Sequence, residues 1–538
     1  MFSLKNITSF IAKISKLYTN QTFLFALLFV ILVAAGFILS FNSLDPDFGW
    51  HLKTGELIIK DGVPYQDWYS YTMPDFQWIN HEWLLDVIIF KLYSFLGIHL
   101  LTLLFITIYT LSFFLYRKKY SFWIALFPIS LAYLSTIGFL GIRAQLLTIL
   151  FFAILVKIID DFLSNTHYSS KALYFSPLIF LPWANLHGGF FLGLAVILAI
   201  LTLEIFKKTK IWEKMKFLNF IGKLNLQEQP LSKIKVLFFV FISSSLITLI
   251  NPYGWKIYIE VFRTIGDRYA ASHILEWMPL FLQKSNIILI YTYILLVAFL
   301  IFVSYKKITL NKILISLFFL YLSISATRYF LVFVAWTLPI FLESLLHLKE
   351  QYDWQSIFSR YFIGKTGNLF IALLLIVLLP MVFSLYDVYS NAFSVESYYP
   401  EETIPFLKTI PLSENMFNFY GWGGYLIWNI PERKLFIDGR MAIWRQKDKF
   451  AFKDYIDVTE AQSNLNEIIE KYNISFFLLP KDSRSQMQKQ KNELSADSQK
   501  TGFLCLMLSC NKKNIYDELN KLGWKPVYSD QVSVILSK

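Results

Sequence analysis

Long apolar stretches separated by polar loops occupy the first two thirds of the chain. A membrane-crossing helix needs about 20 mostly apolar residues, and the first such stretch, 22–40, carries no charge. The candidate spans are 22–40, 97–115, 121–140, 145–160, 172–187, 189–206, 236–250, 286–304, 312–327, 329–346 and 368–386. This pattern predicts a polytopic α-helical membrane protein with about 11 spans.

The segment 83–96 is apolar but short, and it contains Asp86 and Lys91. If this segment crossed the membrane, the next span would place the basic run 117–119 outside. That would violate the preference of Lys and Arg for cytoplasmic loops. We therefore predict an interfacial helix over 83–96.

The distribution of charge orients the predicted spans. Lysines precede the first span, whereas the loop 41–82 holds seven acidic residues and two lysines. Residues 207–235 carry eight lysines and two glutamates, and the span count places them in the cytoplasm, as it does Lys306 and Lys307. We therefore predict an integral protein of the plasma or inner membrane, with a cytoplasmic N-terminus and an extracytoplasmic C-terminal tail.

Composition supports a membrane protein and excludes several other classes. The chain is 56% apolar and 16% charged, whereas a soluble domain usually carries about 25% charged residues. Its net charge of +12 comes from lysines in predicted cytoplasmic loops, so we expect contact with membrane lipids and no nucleic acid. The sequence contains no Walker loop, dinucleotide fingerprint, nucleophile elbow or zinc-helix motif.

The tail alternates strand-like and helix-like runs. The strand-like runs are Lys434 to Ile437, Ile474 to Leu479, Phe503 to Leu508 and Val532 to Leu536, and the helix-like runs are Thr459 to Tyr472 and Asn514 to Leu522. This pattern predicts a transmembrane domain over 1–386, including an outer loop 41–96, followed by an extracytoplasmic α/β domain over 387–538. Cys505 and Cys510 form either a disulfide or two half-buried thiols.

Several polar residues in otherwise apolar turns fall on one predicted side, the extracytoplasmic side. They are Asp45, Asp47, Arg143, His187, Asn251, Glu276 and Arg328. An ionisable group at membrane depth is costly unless it is paired or lines a polar cavity, so a set on one side is a functional-site hypothesis. Taken singly, each residue is equally well explained as an interfacial or snorkelling group.

The triplet Asp45-Pro46-Asp47 is the sharpest motif in this set. Proline favours an extended backbone at the residue before it, and side chains two apart on an extended chain share a face. Paired carboxylates can divide the roles of base and of contact to a divalent cation such as Mg²⁺ or Mn²⁺. A helix-capping turn is the structural alternative. Residues that could line a substrate loop are His51, Glu56, His81 and Glu82 nearby, with Asn251 and Glu276 from later loops.

Arginine offers a planar fork that suits phosphate. Arg143 and Arg328, together with His187, are therefore candidates for binding the phosphate of a lipid-linked donor. The alternative role for these side chains is to anchor helix ends to anionic headgroups.

The order of these features resembles the GT-C glycosyltransferases, membrane enzymes that transfer a sugar from a polyprenyl-phosphate donor to an acceptor on the outer side. The resemblance rests on the first span, the triplet Asp45-Pro46-Asp47, the long outer loop and the outer C-terminal domain. It implies that Asp45 serves as base or metal contact, with Asp47 as the second candidate. It also implies an inverting displacement in which Arg143 and Arg328 neutralise the departing lipid phosphate. The acceptor would be a lipid, a glycan or a protein.

A second resemblance lies in the tail. The aromatic and glycine-rich run 418–428, followed by Phe436-Ile-Asp-Gly-Arg440, is similar in placement to the acceptor motif of oligosaccharyltransferases but lacks its Trp-Trp-Asp run. The favoured interpretation is a glycine turn between aromatic strand residues. Two other functions stay open: a transporter or flippase, which would place polar groups along the depth of its spans, and a polysaccharide polymerase or ligase.

Overall fold

A computed structural model describes residues 20–164, 170–216, 224–282, 286–351, 395–481 and 514–538. In chain order the helices are α1 Gln21–Ser40, α2 Phe48–Asp61, α3 Trp83–Phe113, α4 Phe122–Ser135, α5 Ala144–Leu163, α6 Ser170–Phe175, α7 Pro177–Leu186, α8 Phe190–Phe206, α9 Lys210–Lys216, α10 Leu231–Ile247, α11 Lys256–Gly266, α12 Arg268–His273, α13 Ile287–Val303, α14 Leu310–Ser325, α15 Phe330–Gln351, α16 Val395–Tyr398, α17 Ile404–Leu407, α18 Gly423–Asn429, α19 Ala451–Thr459, α20 Leu465–Lys471 and α21 Ile515–Lys521. The predicted span 368–386, the strand-like run 503–508 and both cysteines lie outside the described residues.

Three helical segments of the described chain are long and apolar enough to cross a bilayer: Gln21–Ser40, Trp83–Lys119 and Thr327–Gln351. Four further apolar helices of 10–17 residues (α4, α8, α13 and α14) coincide with predicted spans. These helices, together with a small C-terminal sheet, confirm the predicted class of a mainly helical membrane protein. The count of eleven spans stays a prediction.

The structure confirms one predicted segment and corrects another. Gly97 breaks α3 with a φ of 68°, a left-handed conformation that glycine adopts readily, so 83–96 is a separate helical stretch as predicted. Its interfacial position stays a prediction. The predicted span 172–187 is interrupted at Ser176, because Pro177 cannot continue the backbone ladder of α6 and instead begins α7.

The chain forms two compact units. Among the described residues, the first, here the helical unit, comprises 20–41, 102–251 and 276–351. The second, here the outer unit, comprises 42–101, 252–275 and 395–538. The long outer loop therefore belongs to the same compact unit as the C-terminal region. The predicted division into domains 1–386 and 387–538 stays a prediction.

The outer unit contains a four-stranded sheet in the order β1-β2-β4-β3. The strands are β1 Asn415–Asn418, β2 Ile474–Pro480, β3 Lys525–Ser529 and β4 Ser533–Ser537. β1 pairs parallel with β2, whereas β4 pairs antiparallel with both β2 and β3. The predicted strands β2 and β4 are confirmed, and β2 is buried along nearly its whole length.

Other predictions for the tail are corrected. The run Lys434 to Ile437 is not a strand, because only Leu435 makes isolated bridges, to Ser70 and Met416. The predicted helix 459–472 is shortened to α20, since Ala461 has a φ of 50° and ends the preceding helix α19. The predicted helix 514–522 is confirmed as α21.

Candidate active site

The acidic triplet forms a turn that leads into α2. The Asp47 backbone N–H donates to Asp45 Oδ1 over 2.9 Å, and the Phe48 N–H donates to the Asp45 carbonyl over 3.0 Å. Asp47 has helical backbone angles. The expected extended arrangement of the two carboxylates is therefore wrong, because the Asp45 side chain bends the chain by binding the backbone two residues on. Both carboxylates instead lie at the N-terminus of α2, where the helix dipole stabilises negative charge.

The glycine-rich run of the tail packs against this turn. A Cβ atom on Gly424 would overlap with the Pro46 carbonyl, and one on Gly439 would overlap with Asp47 Oδ1. Residues 420–422 form a 3-10 turn that leads into α18, so the flanking residues are helical on one side. The predicted glycine turn between strand residues is therefore wrong, because Gly423 and Gly424 begin a helix, and Gly424 allows a close approach to the acidic triplet.

A buried histidine lies one turn after Asp47. The imidazole Nδ1 of His51 is 2.6 Å from Asp86 Oδ1, and the second oxygen of Asp86 accepts from Asn80 Nδ2 over 2.7 Å. His51 Nε2 is 3.8 Å from Glu82 Oε2, and His81 Nε2 is 3.7 Å from Glu82 Oε1. Three predicted substrate-loop residues, His51, His81 and Glu82, therefore lie together.

Electrostatics favours the protonated form of this histidine. Burial alone lowers the pKa of His51, but the hydrogen bond and charge of Asp86, with the charges of Glu82 and Asp47, raise it to about 9. Another predicted substrate-loop residue, Glu56, lies on the exposed side of α2 and pairs with Lys53 over 2.8 Å. The structure therefore does not bring Glu56 into this cluster.

The histidine charge makes stability depend on pH. Because the pKa of His51 is raised from 6.5 to about 9 on folding, its stabilising contribution is complete below about pH 6.5 and is lost as the pH rises through 9. We expect the unfolding temperature of the detergent-solubilised protein to fall across this window, and to fall less in His51→Gln. Equal pH profiles for the two proteins would contradict the raised pKa.

The helical unit holds the predicted arginines. Arg143 pairs with Glu276 through its Nη1, and the Arg328 guanidinium lies 4.5 Å from the centre of the Trp277 ring. Burial alone would raise the pKa of Glu276, but the charges of Arg143 and Arg328 lower it. The backbone N–H of Thr327 donates to the Met278 carbonyl over 3.1 Å, which ties the Arg328 turn to the segment that carries Glu276. Glu276 therefore pairs with Arg143 and also feels the charge of Arg328.

The other two predicted residues of this unit have local partners. His187 Nδ1 lies 2.7 Å from Thr148 Oγ1, and the Trp183 indole N–H donates to the same hydroxyl. The Asn251 amide donates to the Thr248 carbonyl over 2.8 Å, closing the end of α10. These contacts fix both side chains; phosphate binding by His187 stays a prediction.

Sequence reasoning missed a buried ion cluster in the outer unit. Arg440 Nη2 lies 2.9 Å from Asp67 Oδ1 and 2.7 Å from Asp438 Oδ2, and the three side chains are at most 3% exposed. Burial alone would lower the pKa of the guanidinium. The two carboxylates outweigh this effect and raise the pKa above its usual value. The rings of Trp78 and Trp444 lie 4.3 and 5.0 Å from the guanidinium. The only sequence signal was the motif Asp438-Gly439-Arg440, whose partner Asp67 is distant in the chain.

The predicted Mg²⁺ or Mn²⁺ site at Asp45 and Asp47 was tested against the available ligands. Within the described ranges, no three His, Cys, Asp or Glu side chains are grouped as the ligands of a metal ion. Asp47 Oδ1 also accepts a hydrogen bond from the Trp50 indole over 2.9 Å. Among the described residues, Asp45 and Asp47 alone do not make a complete ligand set for such a cation.

Comparison with solved structures shows that the chain shares the fold of an archaeal oligosaccharyltransferase. The crystal structure of the apo oligosaccharyltransferase from Archaeoglobus fulgidus matches with a TM-score of 0.53 and 10% identity, over 86% of this chain and 70% of that chain. The same enzyme tethered to an acceptor peptide containing the NVT sequon matches with a TM-score of 0.51, at the same identity and coverage. At this identity the similarity establishes the fold alone, and it confirms the predicted resemblance.

A third similar structure is ArnT from Cupriavidus metallidurans in the apo state, with a TM-score of 0.39 and 12% identity over 95% of this chain and 97% of that chain. This score is too low to carry an argument. Comparisons with family models and with curated proteins find no match.

Proposed function

We propose that this protein is an inverting membrane glycosyltransferase that transfers a sugar from a polyprenyl-phosphate donor to an acceptor hydroxyl on the extracytoplasmic side. The observation that carries the proposal is the acidic turn Asp45-Pro46-Asp47 at the N-terminus of α2, enclosed by the glycine-rich segment of the tail. This turn occurs in a chain with the fold of an oligosaccharyltransferase.

The acidic turn supplies the base of the reaction, and the two arginines supply the positive charge. Sugar transfer needs a base to accept the proton of the attacking hydroxyl, and Asp45 takes that role, with Asp47 beside it. The departing lipid phosphate gains negative charge, which Arg328 and Arg143 stabilise. The oligosaccharyltransferase used in the comparison acts on a peptide acceptor. Here the acceptor class is a lipid, glycan or protein hydroxyl, because the tail lacks the Trp-Trp-Asp run.

Polar groups within the helices do not favour a transporter. Glu204 lies on α8, within a predicted span and away from the other candidate polar residues, and it is completely buried. Its carboxylate accepts from Lys207 Nζ over 2.7 Å and from Asn311 Nδ2 over 2.6 Å. Its second oxygen accepts from the Gln229 backbone over 2.8 Å. These contacts tie elements of the helical unit together and give Glu204 a structural role.

The proposal is tested with purified protein in lipid vesicles supplied with radiolabelled polyprenyl-phosphate sugars and extracts of the envelope as acceptor. A glycosyltransferase releases free polyprenyl phosphate in proportion to labelled acceptor. Movement of intact donor across the vesicle, with no release of lipid phosphate, would instead identify a flippase. Elongation of a lipid-linked glycan by its own repeat unit would identify a polymerase.

The arginine of the Ala-Thr-Arg turn provides a further prediction. Arg328→Gln removes the cation but retains hydrogen-bonding capacity, so the rate of transfer should fall by about 100- to 1,000-fold, the loss expected when one preorganised donor is removed. Arg328→Lys should retain part of the activity, since it keeps the charge without the planar fork. Initial rates over a range of donor concentrations provide the measurement. A rate for Arg328→Gln near that of the unmodified protein would contradict phosphate binding by this residue.

A further inference from the structure

Asp86 is a buried carboxylate for which the proposed reaction has no direct use. It lies in the first turn of α3 and is completely buried. An isolated buried carboxylate is strongly destabilising unless it is paired and hydrogen-bonded. Asp86 meets this requirement through His51 and Asn80, one on each oxygen.

The bond to Asp86 fixes the orientation of the His51 ring, which stacks on the side chain of the preceding residue, Trp50. The ring centres of Trp50 and His51 are 3.6 Å apart, with an angle of 30° between their planes. Consecutive residues of a helix normally point about 100° apart, so this stack requires the Trp50 indole to turn towards the imidazole. The position of the indole therefore depends on the position of the histidine.

The indole in turn holds the acidic turn. Trp50 Nε1 donates to Asp47 Oδ1 over 2.9 Å, while the Asp47 backbone donates to Asp45. A continuous line of contacts therefore runs from Asn80 through Asp86, His51 and Trp50 to Asp47. The inner end of this line, at Asn80 and Asp86, is fully buried. Its outer end is the Asp47 carboxylate, beside the proposed base Asp45.

We propose that Asp86 is a positioning residue for Asp47, acting through His51 and Trp50. This inference rests on the proposed transferase function and adds to it a residue outside the acidic triplet. The alternative is that Asp86 only stabilises the packing of α2 against α3. The two roles differ in one respect: positioning depends on the Trp50 N–H, whereas packing does not.

The test is a set of four proteins compared by kcat and KM in the transferase assay. Asp86→Asn should lower kcat by about 10- to 100-fold with little change in KM, as when a partner that orients a functional side chain is removed. Trp50→Phe keeps the aromatic ring but loses the N–H donor, and should lower kcat similarly. If Asp86 acts through Trp50, the double variant has the kcat of Trp50→Phe alone. Losses that multiply in the double variant would overturn the proposal.

A second variant and a control complete the test. If Asp86→Asn is too poorly folded to purify, His51→Gln replaces it in the same comparison with Trp50→Phe. A double variant with the kcat of Trp50→Phe alone again supports the proposal, and losses that multiply again overturn it. Asp61→Asn, at the exposed C-terminal end of α2, should leave kcat within about twofold of the original value, as for a surface substitution away from the site.

A measurement independent of catalysis separates failure of this inference from failure of the proposed function. Unfolding temperatures of Asp47→Asn, Asp86→Asn and the double variant form a second cycle. Coupled residues give shifts that do not add, whereas independent residues give shifts that do. If the unmodified protein transfers no sugar, the transferase proposal fails, and this cycle alone decides whether Asp86 and Asp47 are coupled. Additive shifts would then overturn the inference.

Discussion

Replacing Asp45 by asparagine should reduce sugar transfer by about 100-fold or more, because a positioned general base contributes about 10²–10⁴-fold to such a reaction. The substitution is informative because the asparagine oxygen can still accept the hydrogen bond that Asp45 Oδ1 receives from the Asp47 backbone. The turn should therefore persist while the basic group is lost. Asp45→Ala should abolish transfer as well, with additional loosening of the turn.

Abundance and membrane insertion of Asp45→Asn should equal those of the unmodified protein, as judged by quantitative blotting of membrane fractions. Asp75→Asn provides the matched control, since Asp75 is an exposed acid of the same outer loop, and its transfer rate should be unchanged. Normal labelling of the acceptor by Asp45→Asn would refute the role of Asp45 as the base.

Replacing Arg440 by methionine should destabilise the outer unit by about 3–5 kcal/mol, the cost of removing one partner from a buried ion cluster. The substitution would leave the buried carboxylates of Asp67 and Asp438 without their shared cation. It would also remove the cation that lies against Tyr69, Trp78 and Trp444. Thermal unfolding of the purified protein, followed by near-UV circular dichroism, measures the effect.

Two comparisons sharpen this experiment. Arg268→Met removes an exposed arginine of the same unit and should change stability by no more than about 0.5 kcal/mol. Replacing Asp67 and Asp438 by asparagine together with Arg440→Met should recover part of the loss, because the uncompensated charges are removed. Unchanged unfolding of Arg440→Met would show that the cluster contributes little to stability.

The sequence predicts the long apolar helices well because each one is a nearly continuous apolar stretch, which a local pattern reveals. The glycine break at 97 and the α7 start at Pro177 follow from the local chemistry of single residues. The short strands β1 and β3 were missed because they contain few apolar residues, and β3 includes Pro526. Their pairing is decided by neighbouring strands, which a local pattern does not reveal.

The candidate site was predictable only in part. Asp45, Asp47 and His51 are close in the sequence, so their proximity could be inferred from the chain itself, whereas Glu82 approaches His51 only in the fold. Asp86 entered the sequence argument only as a charge that disfavours a span, yet it is the hydrogen-bonding partner of His51. Arg440 and Asp67 are 373 residues apart, and a single sequence contains no signal of such a pairing.

The central claim is that the acidic turn and the arginine turn face the same aqueous compartment, and substituted-cysteine labelling tests it most directly. In a background of Cys505→Ser and Cys510→Ser, single cysteines replace three exposed residues: Lys60 at the end of α2, Ser325 beside Arg328, and Lys306 in a predicted cytoplasmic loop. Intact cells or spheroplasts are then treated with a membrane-impermeant maleimide. We expect labelling at positions 60 and 325 in intact cells, and labelling at 306 only after the membrane is permeabilised. Labelling of 60 and 325 from opposite sides would contradict it.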